Sequence, residues 1–232
     1  MKEMFGTVPE KYVLLNKILT LGKDEIWRQK VLDIIDLQDG GRILDACTGT
    51  GDLALKLANR FSDTEVYAVD FSAKMLSTAQ KRAQMLNIKN IIFKENDCTS
   101  MDFGSNYFDY ITISFGFRNL SYSKVNLIKS LKEIHRVLKH EGRLIILETS
   151  QPVNSFIRKN FHFYVRKIVP VIGMLISGKR KPYAYLGGSI ARFFDRESLE
   201  GILASEGFKS ELAIPFMFGA ISLCVFQKRG IV

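Results

Sequence analysis

The sequence predicts an α/β fold, a seven-stranded and mostly parallel sheet finished by an antiparallel hairpin, and three observations carry that expectation. Apolar strand patterns at 42–46, 65–69, 90–94, 109–113 and 143–148 alternate with helical patterns at 26–37, 52–61, 73–86 and 124–138. Such alternation lays parallel strands side by side with helices on both faces. Beyond residue 194 the order changes, because one helix is followed by strands at 208–214 and 220–227 with too few residues between them for a crossover. That pair must be antiparallel. The third observation is a glycine-rich turn directly after the first strand, at Gly49-Thr50-Gly51.

In chain order, Arg42-Ile43-Leu44-Asp45-Ala46 is a strand that runs into the turn Cys47-Thr48-Gly49-Thr50-Gly51, and Asp52 then opens a helix. The next strand, Val66-Tyr67-Ala68-Val69, closes on Asp70, nineteen residues after Gly51. A strand, a glycine turn and a helix let backbone approach a small ligand, and an acid ending the second strand can accept both hydroxyls of a ribose. The third and fourth strands end near Asn96-Asp97-Cys98 and Ser114. The helix at 124–138 places Val125, Ile128, Leu131, Ile134 and Leu138 at core spacing. Asp195-Arg196-Glu197-Ser198 opens the last helix as an N-terminal cap.

Composition fits one large domain. The 232 residues are 47% hydrophobic and 25% charged, with no run of eighteen apolar residues to span a membrane. Met1-Lys2-Glu3-Met4-Phe5-Gly6 lacks the apolar core of a secretion signal. Cys47, Cys98 and Cys224 lie outside any C-x-x-C spacing, so a disulfide framework or zinc site is not expected and the thiols read as those of a cytoplasmic protein.

Gly49-Thr50-Gly51-Asp52-Leu53-Ala54 also satisfies the loose dinucleotide pattern G-x-G-x-x-A. Charge separates the alternatives. A diphosphate needs the positive end of a helix, whereas Asp45 and Asp52 would put carboxylates there. S-adenosyl-L-methionine, with a cationic sulfonium and ammonium and a ribose that wants acceptors, suits those acids. Asp52 could instead be a simple helix cap. The donor-binding candidates are therefore Asp45, Gly49, Thr50, Gly51 and Asp70, joined by Asn96, Asp97 and Ser114, because ligands of open α/β sheets sit beyond the carboxyl ends of the strands. Each of the last three could equally be a solvated turn residue. A parallel sheet ending in an antiparallel hairpin is the layout of class I (Rossmann-like) methyltransferases.

Three further segments resemble the ubiquinone/menaquinone biosynthesis C-methyltransferase family, and the likeness runs over nearly the whole chain. Tyr12-Val13-Leu14-Leu15-Asn16 with Leu19, Thr20 and Trp27 follows the spacing of its Y-D-x-M-N-x-x-L-S-x-x-x-H-x-x-W signature. Ile113-Ser114-Phe115-Gly116-Phe117-Arg118-Asn119 is similar to I-S-F-G-x-R-N, and Arg136-Val137-Leu138-Lys139-His140-Glu141-Gly142-Arg143-Leu144 through Leu147-Glu148-Thr149-Ser150 to R-V-L-K-P-G-G-x-L-x-x-L-E-x-S. Tyr183-Ala184-Tyr185-Leu186 and Ser189-Ile190 echo another segment. Departures are Val13, Leu15, Asp24, the pair His140-Glu141, and Cys47-Thr48 where Ala-Gly is usual.

The resemblance implies S-adenosyl-L-methionine as methyl donor, bound at Thr50, Asp70, Asn96, Asp97 and Ser114, and a ring carbon of a polyprenylated quinol as acceptor, with demethylmenaquinol to menaquinol as the expected conversion and no metal. It also implies Arg118, Asn119 and Tyr12 as catalytic candidates: a ring carbon is a poor nucleophile until a neighbouring hydroxyl loses its proton, and Arg118 could stabilise the oxyanion. Arg118 could alternatively form a surface ion pair with Glu148, and Tyr12 could be a packing ring. The organisation expected is an N-terminal helical lid (1–40), a donor-binding core (41–148), an insert (149–194), and the C-terminal helix and hairpin (195–232).

The insert has no Asp or Glu between Thr149 and Phe194, yet it carries eight of the Lys and Arg residues of a chain with formal net charge +9. Phe156, Phe161, Phe163 and the Ile168–Ser177 stretch add apolar surface. Cationic and apolar side chains together suit the face of an anionic membrane, where a lipid quinol would be collected, or a contact in a homodimer. Nucleic acid is the rival partner, but no Asn-Pro-Pro-Tyr loop follows the fourth strand. A non-catalytic nucleoside-binding protein is the remaining alternative.

Overall fold

The computed structural model describes residues 20, 22–37, 40–178 and 180–229. Tyr12 and the segment from Tyr12 to Leu19 lie outside them. The elements are α1 (Asp24–Ile34), β1 (Arg42–Ala46), α2 (Ala54–Arg60), β2 (Glu65–Asp70), α3 (Ala73–Met85), β3 (Ile91–Glu95) and β4 (Phe108–Ser114). There follow the single turn α4 (Phe117–Leu120), α5 (Lys124–Val137), β5 (Leu138–Thr149), α6 (Ser155–Phe163), α7 (Val169–Ser177), α8 (Lys181–Ile190), α9 (Arg196–Ser205), β6 (Phe208–Phe216) and β7 (Ile221–Lys228).

All seven strands join one sheet in the order β3-β2-β1-β4-β5-β7-β6. β1 pairs in parallel with both β2 and β4, through Ile43↔Val66 and Ile43↔Tyr110, so the strand order reverses beside it. That reversal leaves a crevice beyond the carboxyl ends of β1 and β4, where open α/β sheets bind ligands. β7 runs antiparallel to β5 and to β6, as the short link between the last strands requires.

Strands buried on both faces account for their continuous apolar runs. Leu44, Ala46, Ile111, Leu144, Ile146 and Phe226 pack on one face with α5 and α9. Ile43, Val66, Ile145, Leu147 and Leu223 pack on the other with α1 and α2. Along β5 these alternate residue by residue, the period of two that a strand imposes.

Three expectations shift. α1 begins at Asp24 and stops at Ile34, where Ile35 turns extended, rather than spanning 26–37. β5 starts at Leu138, because Leu138 pairs with Phe108 ahead of a register break and so absorbs the stretch before 143 into the sheet. On α5 the buried face is Leu127, Leu131, Ile134 and Val137, while Val125 is exposed.

Residues 149–194 fold as α6, a π-helical turn at Tyr164–Ile168, α7 and α8, around Val165, Val169, Tyr183, Ile190 and Ala191. Pro170 sits in the first turn of α7, directly after the π-helical turn. Among the described residues, no helix is long and apolar enough to cross a membrane.

Candidate functional site

The crevice beside β1 is a cavity of about 610 Å³, within the range that accepts a cofactor-sized ligand. The β1–α2 loop forms its floor. Cys47, Gly49 and Gly51 all have positive φ, at 55°, 57° and 79°, which folds the chain back so that Thr48 N–H donates to Val69 O at 2.9 Å. Gly51 N–H donates to Thr48 O at 2.9 Å and Gly49 N–H to Asp70 Oδ2 at 2.9 Å. Opposite, Phe115 takes a φ of 56°, and Gly116 packs against Cys47 so tightly that a Cβ there would lie 2.5 Å from the Cys47 Cβ.

Asp70 ends β2 at the cavity wall. Its Oδ2 accepts Gly49 N–H and its Oδ1 accepts Ser72 N–H, both at 2.9 Å, and a carboxylate has further acceptor capacity for a diol. Burial raises its pKa above the ordinary carboxylate value, while the N–H groups of Gly49, Ser72 and Phe71 oppose that rise. Asn96 N–H donates to Asp70 O at 3.1 Å, tying the β3 end to the same corner, and Asp97 Oδ1 accepts from Thr99 N–H at 2.8 Å.

Asp45, Gly49, Thr50, Asp70, Asn96, Asp97, Ser114 and Asn119 therefore line one cavity. Gly51 shapes the loop without lining it, and Arg118 stands outside. Asp45 is held by hydroxyls on both oxygens, Thr48 Oγ1 at 2.6 Å and Thr112 Oγ1 at 2.7 Å. Its pKa is pushed up to about 6, by burial first, against the hydrogen bonds from Thr48 and Thr112 and the Arg28 charge. Asp52 neither caps α2 nor stands unpaired at the loop, since Arg82 Nη1 reaches Asp52 Oδ1 at 2.7 Å and Thr50 O at 2.6 Å.

Arg118 is buried rather than at the surface. Its Nη1 donates to Glu148 Oε1 at 2.7 Å, its backbone N–H to Glu148 Oε2 at 3.1 Å, and its Nε has no partner among the described residues. Glu148 also accepts from Thr149 N–H and Oγ1, at 2.8 and 3.0 Å.

The sequence reading missed Arg28, Phe71, Asn126 and Ser130 as cavity residues. Only Arg28 carried a usable signal, a cation on the same helical stripe as Trp27, Val31 and Leu32.

The lining fits a sulfonium nucleoside better than a diphosphate. The loop donors Gly49 N–H and Gly51 N–H are already engaged by Asp70 and Thr48, leaving no cradle for phosphate oxygens at those positions. Acids dominate: Asp45, Asp52, Asp70, Glu95 and Asp97 line the cavity against one basic side chain, Arg28. Ser114 and Ser130 are also lining residues, and their buried hydroxyls have no hydrogen-bond partner among the described residues. Among the described residues no group of three metal-ligating side chains occurs.

Comparison with known proteins agrees with this geometry. The model of the ubiE/COQ5 methyltransferase family matches residues 1–228. The ubiquinone/menaquinone biosynthesis C-methyltransferase of Geotalea uraniireducens is 37% identical over 229 residues, covering 98% of this chain and 95% of that protein. The demethylmenaquinone methyltransferase of Thermus thermophilus is 37% identical over 205 residues, covering 88% and 91%. Solved structures show the same fold at low identity: a SAM-dependent methyltransferase from Aquifex aeolicus has a TM-score of 0.64 at 20% identity, covering 93% of this chain and 96% of its own. One from Thermotoga maritima reaches a TM-score of 0.68 at 18% identity, covering 99% and 100%. With the family model spanning all but the last few residues and a donor cavity to match, the chain belongs to the ubiE/COQ5 methyltransferase family and uses S-adenosylmethionine.

Proposed function

We propose that this protein methylates a ring carbon of a polyprenylated quinol, converting a demethylmenaquinol to a menaquinol. The observation that carries the reading is the continuity between the donor wall and the family's Ser114–Asn119 segment: Ser114, Phe115, Gly116 and Asn119 all line the donor cavity. The acceptor enters there. Bound there, S-adenosylmethionine would supply an electrophilic methyl group to the ring carbon, which would give up its proton in exchange.

The chain's part is to hold the donor, favour the phenolate and exclude water. Asp70 holds the ribose, Asn96 and Asp97 the adenine edge, and Ser114 the amino-acid arm. Asn119 presents a side-chain amide to the acceptor hydroxyl, and the family resemblance makes Tyr12 a further catalytic candidate. Arg118 acts from behind. Its pair with Glu148 fixes the α4 turn that carries Asn119, and from there its charge favours an oxyanion without touching it.

The α6–α7 surface supports collection of the quinol at a membrane face. Phe156, Phe163, Val171 and Leu175 are exposed there together with Lys159, Arg166 and Lys167. Exposed apolar and basic side chains in one helical layer bind anionic interfaces without spanning them. We accordingly assign the protein to the cytoplasmic side of a membrane as a peripheral enzyme.

The test is turnover. Purified protein is incubated with S-adenosylmethionine and either a demethylated polyprenyl naphthoquinol or the corresponding benzoquinol, and products are weighed by mass spectrometry. A methylated naphthoquinol is the expected product, and methylation of the benzoquinol alone would reassign the acceptor. Methylation of neither overturns the proposal.

A further inference from the structure

We propose that Arg28 grips the carboxylate of the donor's amino-acid end, and that Asp24 holds Arg28 in position to do so. The inference rests on the donor assignment above and adds a residue from outside the loop and strand ends. At neutral pH the donor carries two cationic groups, sulfonium and ammonium, and one anionic group, the carboxylate. A wall dominated by acids suits the first two. The third needs a donor of opposite charge, and the loop N–H groups of Gly49 and Gly51 are engaged elsewhere.

Arg28 is the one Lys or Arg among the described residues lining the cavity. It is 5% exposed, and its Nε is buried without a partner among those residues. Asp24 balances its charge, and the Nε N–H is the group still without an acceptor, a cost that a further partner would remove. Its guanidinium carbon lies 5.7 Å from the Phe115 ring centre, next to Ser114, so it sits at the β4 side of the cavity. Asn96 and Asp97 stand at the β3 side, and two strands lie between. At about 4.8 Å per strand that separation is about 14 Å, a span into which an adenosine and its amino-acid arm fit lengthwise.

Asp24 supplies the aim. It accepts Arg28 Nη1 on Oδ2 and Thr20 Oγ1 on Oδ1 at 2.7 Å, and it is itself 4% exposed. With one edge of the planar guanidinium tied to Asp24, the remaining N–H groups are presented as a fixed fork, the geometry that a carboxylate matches.

The experiment measures binding by calorimetry for S-adenosylmethionine and for decarboxylated S-adenosylmethionine, which differ only in the carboxylate. Wild-type protein should bind the decarboxylated form about tenfold or more weakly, the scale of a charge-assisted hydrogen bond. Arg28→Gln should weaken S-adenosylmethionine alone and bring the two ligands to within about twofold of each other, because the discriminating charge is gone. Equal wild-type affinities, or equal weakening of both ligands by Arg28→Gln, would overturn the proposal. If the single variant does not fold because Asp24 is left unpaired, the double variant Asp24→Asn/Arg28→Gln removes both charges, and the same comparison is read from it. Wild-type protein that binds neither ligand would instead sink the donor assignment.

Discussion

Arg118 and Glu148 form an ion pair at 2.7 Å in which the two side chains are only 6% and 2% exposed. It joins the turn after β4 to the end of β5, and it is anchored twice, since Glu148 accepts both the Arg118 guanidinium and the Arg118 backbone N–H. An isolated buried charge is costly, so each partner depends on the other. The pair is also what sets the α4 turn, and with it Asn119, against the donor cavity.

Glu148→Ala should therefore destabilise the protein by about 3–5 kcal/mol, the cost of leaving a buried arginine uncompensated. Glu148→Gln keeps the acceptor oxygen for one of the two Arg118 contacts and should lose less. Urea unfolding of the two variants checks this ordering, and equal losses would show that the acceptor oxygen kept by Gln contributes nothing. Arg118→Ala should lower turnover far more than donor affinity, because Arg118 does not line the donor cavity. An equal loss in both would reduce it to a structural role.

Asp70→Ala should weaken S-adenosylmethionine binding by about 1–3 kcal/mol, the scale for losing charge-assisted hydrogen bonds to a diol. The variant also frees Gly49 N–H and Ser72 N–H, which Asp70 now occupies, so a small loss of thermal stability should accompany it. Calorimetry with undiminished affinity would remove Asp70 from the site.

Asp45 makes stability depend on pH. Its folded pKa of about 6 stands above the ordinary 3.8, so between those values the folded protein keeps a proton that the unfolded chain has released. The folded state then binds more protons, and stability falls as pH rises through that window and levels off above it. At about 1.4 kcal/mol per pH unit, the loss is about 3 kcal/mol. Asp45→Asn should abolish this component, so wild-type minus variant stability, from urea unfolding at pH 4 and pH 7, should drop by most of that amount. An unchanged difference would show that Asp45 titrates normally.

The α6–α7 surface leads to a prediction on lipid. Flotation of the protein with vesicles should increase with anionic lipid content and fall with salt, because charges at a surface are screened beyond about 10 Å at 0.1 M ionic strength. Replacing Lys159, Arg166 and Lys167 by Gln should remove the dependence. Indifference of the wild-type protein to lipid charge would count against a membrane-facing role.

The residues that follow strands were legible because topology alone places them. Gly49, Asp70, Asn96, Asp97 and Ser114 each lie at or just beyond the carboxyl end of a parallel strand, and period-two apolar runs reveal those strands. Side chains that arrive by packing were not. Arg28 reaches the cavity because Trp27, Val31 and Leu32 press α1 onto the sheet, and Arg82 finds Asp52 from thirty residues away along α3. The start of β5 at Leu138 also escaped local pattern, since it depends on pairing with Phe108 across a register break.

The contact between Cys47 and Gly116 gives the last prediction. A Cβ on residue 116 would lie 2.5 Å from the Cys47 Cβ and 3.3 Å from the Cys47 carbonyl oxygen, and both residues sit in turns that form the cavity wall. Backbone must move to admit it, so Gly116→Ala should cost about 1–3 kcal/mol, the usual range for overpacking. Cys47 itself holds a φ of 55°, a conformation that glycine adopts freely. Cys47→Gly removes the clashing Cβ and also that strain, so it should rescue Gly116→Ala, leaving the double variant more stable than the sum of the two single effects predicts. A double-mutant cycle by thermal unfolding measures the coupling. Strict additivity would mean that the two turns do not bear on each other.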